Sequence, residues 1–159
     1  MIRFSKKVEY ALIAMLEMAD QQAQGELVTS KFLSTQYEIP SEIMGKVLQT
    51  LAKNGLLLSV QGVKGGYTLA TPPGKINLWQ VVQAVDGPVV MVSCLADSME
   101  ECAQHQHCNI RTPMQIIQAQ LETFFSEISL MDVRKIYLAQ FGAGEMAPES
   151  ISAQNSVQA

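Results

Sequence analysis

The chain is poor in charge, in aromatic residues and in cysteine, and each scarcity excludes something. Charged residues make up 16% of its 159 positions and aromatic residues 6%, against 48% hydrophobic residues. A chain so composed is too apolar to remain unfolded and long enough to bury one core, so a single domain with appendages is expected. No uninterrupted apolar run reaches the roughly 18 residues that a membrane-crossing helix needs. The segment from Met1 to Glu9 carries Arg3, Lys6 and Lys7 but no apolar stretch with a cleavage site behind it, so the expected location is the cytoplasm, with no membrane partner. Cysteine is limited to Cys94, Cys102 and Cys108. An odd number in a reducing compartment argues against a disulfide framework and leaves metal binding, thiol chemistry or burial. No Ser/His/Asp frame, Walker-type phosphate loop or paired carboxylates stand in a recognisable frame, so neither an enzyme nor a small-molecule substrate is expected.

Positive charge is also scarce overall, with a net charge of -4, which at first argues against a nucleic-acid partner. The average hides an asymmetry. Residues 1–75 hold eight Lys/Arg against six Asp/Glu, whereas residues 76–159 hold three against nine. Any contact with DNA therefore belongs to the first half.

What is there begins with helical periodicity. Val8, Ala11, Leu12, Met15, Met18 and Ala19 recur at helical spacing behind Ser5, a capping residue. Thr29 and Ser30 open a shorter helix with Phe32, Leu33 and Tyr37, which Glu38-Ile39-Pro40 closes because a residue before proline resists the helical region. Ser41 starts a third helix with an inner face of Met44, Val47, Leu48 and Leu51, and Asn54-Gly55 stops it. Glu42, Gly45, Lys46, Gln49 and Lys53 fall on the opposite face. Two helices joined by a tight turn, the second with a polar outer face, form a helix-turn-helix. Leu56–Val60 and Tyr67–Ala70, separated by Gln61-Gly62-Val63-Lys64-Gly65-Gly66, then read as a hairpin, and a hairpin directly after a recognition helix is a wing.

Past the wing, Asn77 caps a helix with Leu78, Val81, Val82 and Val85. The loop that follows carries all three cysteines, and Thr112-Pro113-Met114-Gln115 offers a capping box with proline at the first helical position. The helix begun there places Met114, Ile117, Leu121, Phe124 and Ile128 in steps of 3, 4, 3 and 4, the spacing of a coiled-coil seam that a second copy would cover. Ser129 opens a last short helix with Leu130, Val133, Ile136 and Tyr137, and the tail from Gly142 lacks the apolar content to fold. The expected fold is mainly α: a winged helix-turn-helix domain (1–75), a connecting helix and cysteine-bearing loop (76–110), a long dimerisation helix with a short terminal helix (111–140), and a disordered tail (141–159).

Three sets of candidate residues follow. For DNA, Ser41 and Glu42 stand at a helix N-terminus that favours phosphate, while Lys46 and Gln49 point outward. Gln reads adenine by a bidentate pair, Lys reads guanine or phosphate, and Glu accepts from cytosine. Gly45 costs about 1 kcal/mol in mid-helix relative to alanine, a cost that close backbone approach to a groove would explain. For a metal, Cys94-x7-Cys102-x5-Cys108 supplies three thiolates, with His105 and His107 as local additional donors. By spacing alone an iron-sulfur cluster and a zinc site formed by Cys94, Cys102, His105 and Cys108 remain equally open. For self-association, the seam from Met114 to Ile128 is the candidate.

Ile39-Pro40, Leu51-Ala52-Lys53-Asn54-Gly55-Leu56, Ser59-Val60-Gln61-Gly62, Gly65-Gly66-Tyr67-Thr68-Leu69-Ala70 and Val85-Asp86-Gly87, followed by three cysteines, closely resemble the winged-helix iron-sulfur regulators that include IscR, NsrR and the regulators of SUF cluster assembly. The resemblance spans residues 1 to about 140. It implies a homodimer on a palindromic double-stranded operator, with an iron-sulfur cluster, 2Fe-2S ahead of 4Fe-4S, in the loop before the dimerisation helix. It also implies that Glu9 stands where NsrR supplies a carboxylate ligand from the partner subunit. Two positions depart from the pattern. Gln61 replaces the arginine that some members insert into the minor groove, with Lys64 three residues on as partial compensation. Arg111 occupies the position of IscR's histidine ligand. The expected function is a DNA-binding regulator controlled by its cluster, and the alternative is a zinc-stabilised winged-helix module without sensing.

Overall fold

The computed structural model of the chain describes residues 3–92, 95 and 105–141. The described residues form six α-helices and one two-stranded antiparallel sheet, a mainly helical winged-helix architecture as expected. Helix α1 (Lys6–Gln22) buries Val8, Ala11, Ala14, Met15, Met18 and Ala19. It begins where Ser5 Oγ accepts the Val8 N–H at 3.3 Å, and the same hydroxyl donates to Asp86 Oδ1 at 2.7 Å, joining the start of α1 to the end of α4 (Leu78–Asp86). Helix α2 (Ser30–Gln36) starts with the Phe32 N–H on Thr29 Oγ1 at 3.1 Å, and α3 (Ser41–Lys53) buries Met44, Val47, Leu48 and Leu51. Glu38, at φ 52°, makes the turn between them, and Gly55, at φ 75°, releases the chain from α3 into the hairpin.

Strands β1 (Leu57–Val60) and β2 (Gly66–Leu69) pair with Leu57 opposite Leu69 and Val60 opposite Gly66. Their alternation turns Leu57 and Leu69 into the core and leaves Leu58 and Val60 exposed. The hairpin is fastened to the helices by reciprocal backbone bonds between Val28 and Tyr67, at 2.8 and 3.0 Å. Gly66 sits there because a Cβ would meet the Val28 carbonyl oxygen at 2.9 Å.

After a 3-10 turn at Pro73–Lys75, Asn77 and Gln80 form a reciprocal capping box at the start of α4. Helix α5 (Arg111–Glu127) differs from its expected start. It begins one residue before Thr112, with Ile110 as its cap residue and no side-chain cap. The Met114 N–H reaches the Ile110 carbonyl at 2.8 Å, so the first turn closes on the backbone. Pro113 is tolerated because a first-turn N–H has no intrahelical acceptor anyway.

Helix α6 (Leu130–Phe141) starts in the main core: Leu130 is fully buried with the residues of α1, α3 and the hairpin. The elbow between α5 and α6 is held by backbone bonds from Leu78 N–H to Ile128 O and from Leu130 N–H to Ile76 O, each 2.9 Å. Ser129 and Asp132 cap α6, and those hydrogen bonds hold the Asp132 carboxyl below its usual range. Arg134 of α6 pairs with Asp20 of α1. One turn earlier on α1, the buried carboxylate of Glu17 accepts from Tyr37 Oη at 2.6 Å and Gln21 Nε2 at 3.0 Å. Burial, then the bond to Glu17, raises the Tyr37 phenol above its ordinary range. Polar contacts thus tie α1 on one side to the helix-turn-helix and on the other to α6. No helix among the described residues is long and apolar enough to cross a membrane.

Candidate nucleic-acid interface and cysteine loop

Of the residues expected on the outer face of α3, Glu42, Lys46, Gln49 and Lys53 are exposed, as is Ser41 at its start, whereas Gly45 is half-buried; the opposite side of the helix is in the core. Lys46 Nζ lies 2.8 Å from Glu42 Oε1, and both side chains are largely in solvent. Such a pair is worth a few tenths of a kcal/mol, so either partner can leave it for a base or a phosphate at small cost. Ser5, Thr29 and Asn77 place side-chain acceptors on the first turns of α1, α2 and α4. Pro40, the cap residue of α3, has none. Gly45 is half-buried beside α2, where an added Cβ would meet Ser30 Oγ at 4.0 Å, an ordinary contact. Packing within the chain therefore does not require glycine at this position.

In the wing loop Gln61, Val63 and Lys64 are exposed. The loop turns on two glycines for different reasons. Gly62 adopts φ 119°, and a Cβ on Gly65 would lie 2.4 Å from the Val60 carbonyl oxygen. The tip thus projects Val63 and Lys64 away from the domain.

Of the candidate metal ligands, Cys94 and Cys102 lie outside the described residues, as does the side chain of His105. Cys108 is a half-buried free thiol three residues before α5, and His107 is exposed in the short 3-10 turn that precedes it. Glu9, half-buried on α1, is engaged by Lys6 Nζ at 2.5 Å, a bond that raises the Lys6 ammonium above its ordinary range. Among the described residues no three Cys, His, Asp or Glu side chains converge on one point.

No sequence signal marks Gln118, which is one glutamine among several on its helix. It is a buried polar residue of α5, and its amide clasps the segment leading to Cys94. Nε2 donates to Val89 O at 2.7 Å and to Glu122 Oε1 at 2.9 Å, while Oε1 accepts from the Met91 N–H at 3.0 Å. The cysteine loop thus leaves α4 already registered to α5.

The α5 seam divides. Met114, Leu121 and Ile128 are half-buried, whereas Ile117 is 44% and Phe124 57% exposed. Ile116, 56% exposed, widens the open apolar face.

A polar helix presented by a helix-turn-helix and flanked by a projecting hairpin defines a winged-helix DNA-binding regulator rather than an enzyme. The chain belongs to the Rrf2 family, "Iron-dependent Transcriptional regulator", whose description matches residues 4–135. It is 29% identical over 134 residues to an rrf2-like HTH-type transcriptional regulator of Rhodobacter capsulatus, covering 80% of this chain and 85% of that protein. To the transcriptional regulator IscR of Xenorhabdus nematophila it is 29% identical over 134 residues, covering 84% and 80%. Its fold is similar to that of CymR, the global cysteine regulator of B. subtilis, with a TM-score of 0.67 at 20% identity, covering 86% of this chain and 98% of that one.

Proposed function

We propose that this Rrf2-family regulator binds a palindromic operator as a homodimer and that an iron-sulfur cluster on Cys94, Cys102 and Cys108 sets its affinity. The observation that carries the reading is the Gln118 clasp, which links the cysteine loop to the helix with the open apolar face. Gln49 and Lys46 meet base edges in the major groove, Ser41 and Glu42 lie at the uncapped start of α3, and Gln61 and Lys64 extend to the neighbouring minor groove. Ile117 and Phe124, with Met114, Leu121 and Ile128 beside them, meet their copies across the dimer axis.

The donor chemistry supports this reading: the sequence supplies three thiols between α4 and α5, of which Cys108 is a free half-buried thiol beside α5. When bound, the cluster supplies a redox-active group ligated by those thiolates. The chain's own contribution is to hold the loop's entry on Gln118 and its exit at the start of α5, so that ordering the loop bears on that helix. Glu9, His105 and His107 are the candidates for the remaining ligand.

Anaerobic purification with a visible absorption spectrum and iron, sulfide and zinc analysis tests this on the wild type and on Cys102→Ala. The expected outcome is a coloured protein with matched iron and sulfide, both lost in the variant, and an affinity for DNA that differs between loaded and apo forms by roughly 5 to 150-fold. A colourless protein carrying zinc would make the loop a structural metal site and leave a regulator without cluster sensing.

A further inference from the structure

The residues assigned to DNA so far are short of positive charge. Only Lys46 and Lys64 among them are cationic, and Lys46 is shared with Glu42. Yet phosphate neutralisation supplies most of the sequence-independent affinity for a duplex. The structure makes up the deficit from α1. Lys6 and Lys7 come to the flank of α3 beside Lys46 and rim a cleft of ≈560 Å³ whose walls include Tyr10, Ile43, Val47 and Val85. Lys7 has no partner among the described residues, and Lys6 has only the exposed Glu9 pair.

Position decides what such a cleft meets. An α-helix nearly fills the major groove, so the two sugar-phosphate backbones bounding the groove rise along the helix's flanks. Ile43, Lys46 and Thr50 lie on the flank of α3 that turns from its outer face toward α1. With the Glu42–Lys46–Gln49 face in the groove, one backbone runs over this cleft. Its chemistry is matched there twice: ammonium groups on the rim for the phosphate oxygens, and apolar walls for the C–H edges of deoxyribose.

We infer that the α1–α3 cleft is a backbone-gripping site, in which Lys6 and Lys7 hold phosphates of the strand flanking the recognition helix. This rests on the reading of α3 as the recognition helix. It accounts for how an acidic chain retains a duplex, since the grip concentrates cations where a backbone passes. Such contacts fix the register of α3 and carry no sequence information of their own.

The test is binding of a mixed-sequence 30-base-pair duplex across a salt titration, for wild type, Lys6→Gln/Lys7→Gln and a control, Lys135→Gln, that removes a charge from α6. Each lost phosphate contact lowers the slope of log K against log salt by about 0.9. The double variant should therefore lose about 1.8 per bound subunit, while the control keeps the wild-type slope. Discrimination between an operator selected from a random pool and the mixed duplex should stay unchanged. Equal slopes in the double variant and the wild type, or a loss equal to that of the control, overturn the inference and leave the recognition-helix reading standing. A wild type that retains no duplex at low salt overturns both.

Discussion

At Gly45 the helix carries a residue it does not need for its own packing. Only Ser30 Oγ, at 4.0 Å, faces the missing methyl, and the backbone is helical. Gly45→Ala should therefore raise stability, by up to about 1 kcal/mol, through the lower entropy of the unfolded chain. If the glycine serves close approach to the groove, operator affinity falls in the same variant. Urea denaturation and duplex binding measure the two effects, and a variant that is both more stable and as tight a binder as the wild type would put Gly45 outside the interface. Residues of this kind were legible in the sequence because helical period alone sets which side of α3 they occupy. Gly66 was legible only as a turn former. The Val28 carbonyl that excludes a side chain there comes from a distant segment, and no local pattern announces it.

Among the elements, α5 is the one the sequence described least well. Its apolar steps marked a seam but not which half faced inward, since Met114 and Leu121 pack partly on the subunit itself while Ile117 and Phe124 stay open. Thr112 and Pro113 form a cap signal, but the helix starts before it because the Ile110 carbonyl already accepts the Met114 N–H. Gln118 was invisible because its partners, Val89 and Met91, are backbone groups in a loop. Replacing it by leucine leaves that carbonyl and N–H without their partner, at a cost of about 1–3 kcal/mol for each group that stays buried. Hydrogen exchange should then speed up at Met91 before it changes in α1 or α3. Unchanged protection there would mean that the clasp does not hold the loop.

For the whole molecule, the winged helix was readable from end to end because its signals are local: caps at Ser5, Thr29 and Asn77, a proline stop, a glycine release and a glycine-looped hairpin. The docking of Leu130 into the core joins parts far apart in sequence, and only the folded chain displays it. Self-association belongs to this scale. Ile117→Lys with Phe124→Lys should give a folded monomer, because both side chains are already about half in solvent, and light scattering would report half the wild-type mass. A variant that keeps the full mass would move the interface elsewhere.

The elbow at Ile128–Leu130 has a consequence for the operator. Backbone bonds to Ile76 and Leu78 weld the end of α5 to the segment that enters α4, and Leu130 just past it sits in the core with Leu57 and Leu69 of the hairpin, so the end of α5 is fixed to the winged-helix domain. Two subunits joined along α5, as we propose, would then behave as a caliper with welded jaws. One base pair inserted at the operator's centre moves a half-site by about 3.4 Å and turns it by roughly 34° about the duplex axis. A caliper of this construction would measure the gap rather than stretch to fit it, and the length of the spacer would then itself be part of the address that the regulator reads.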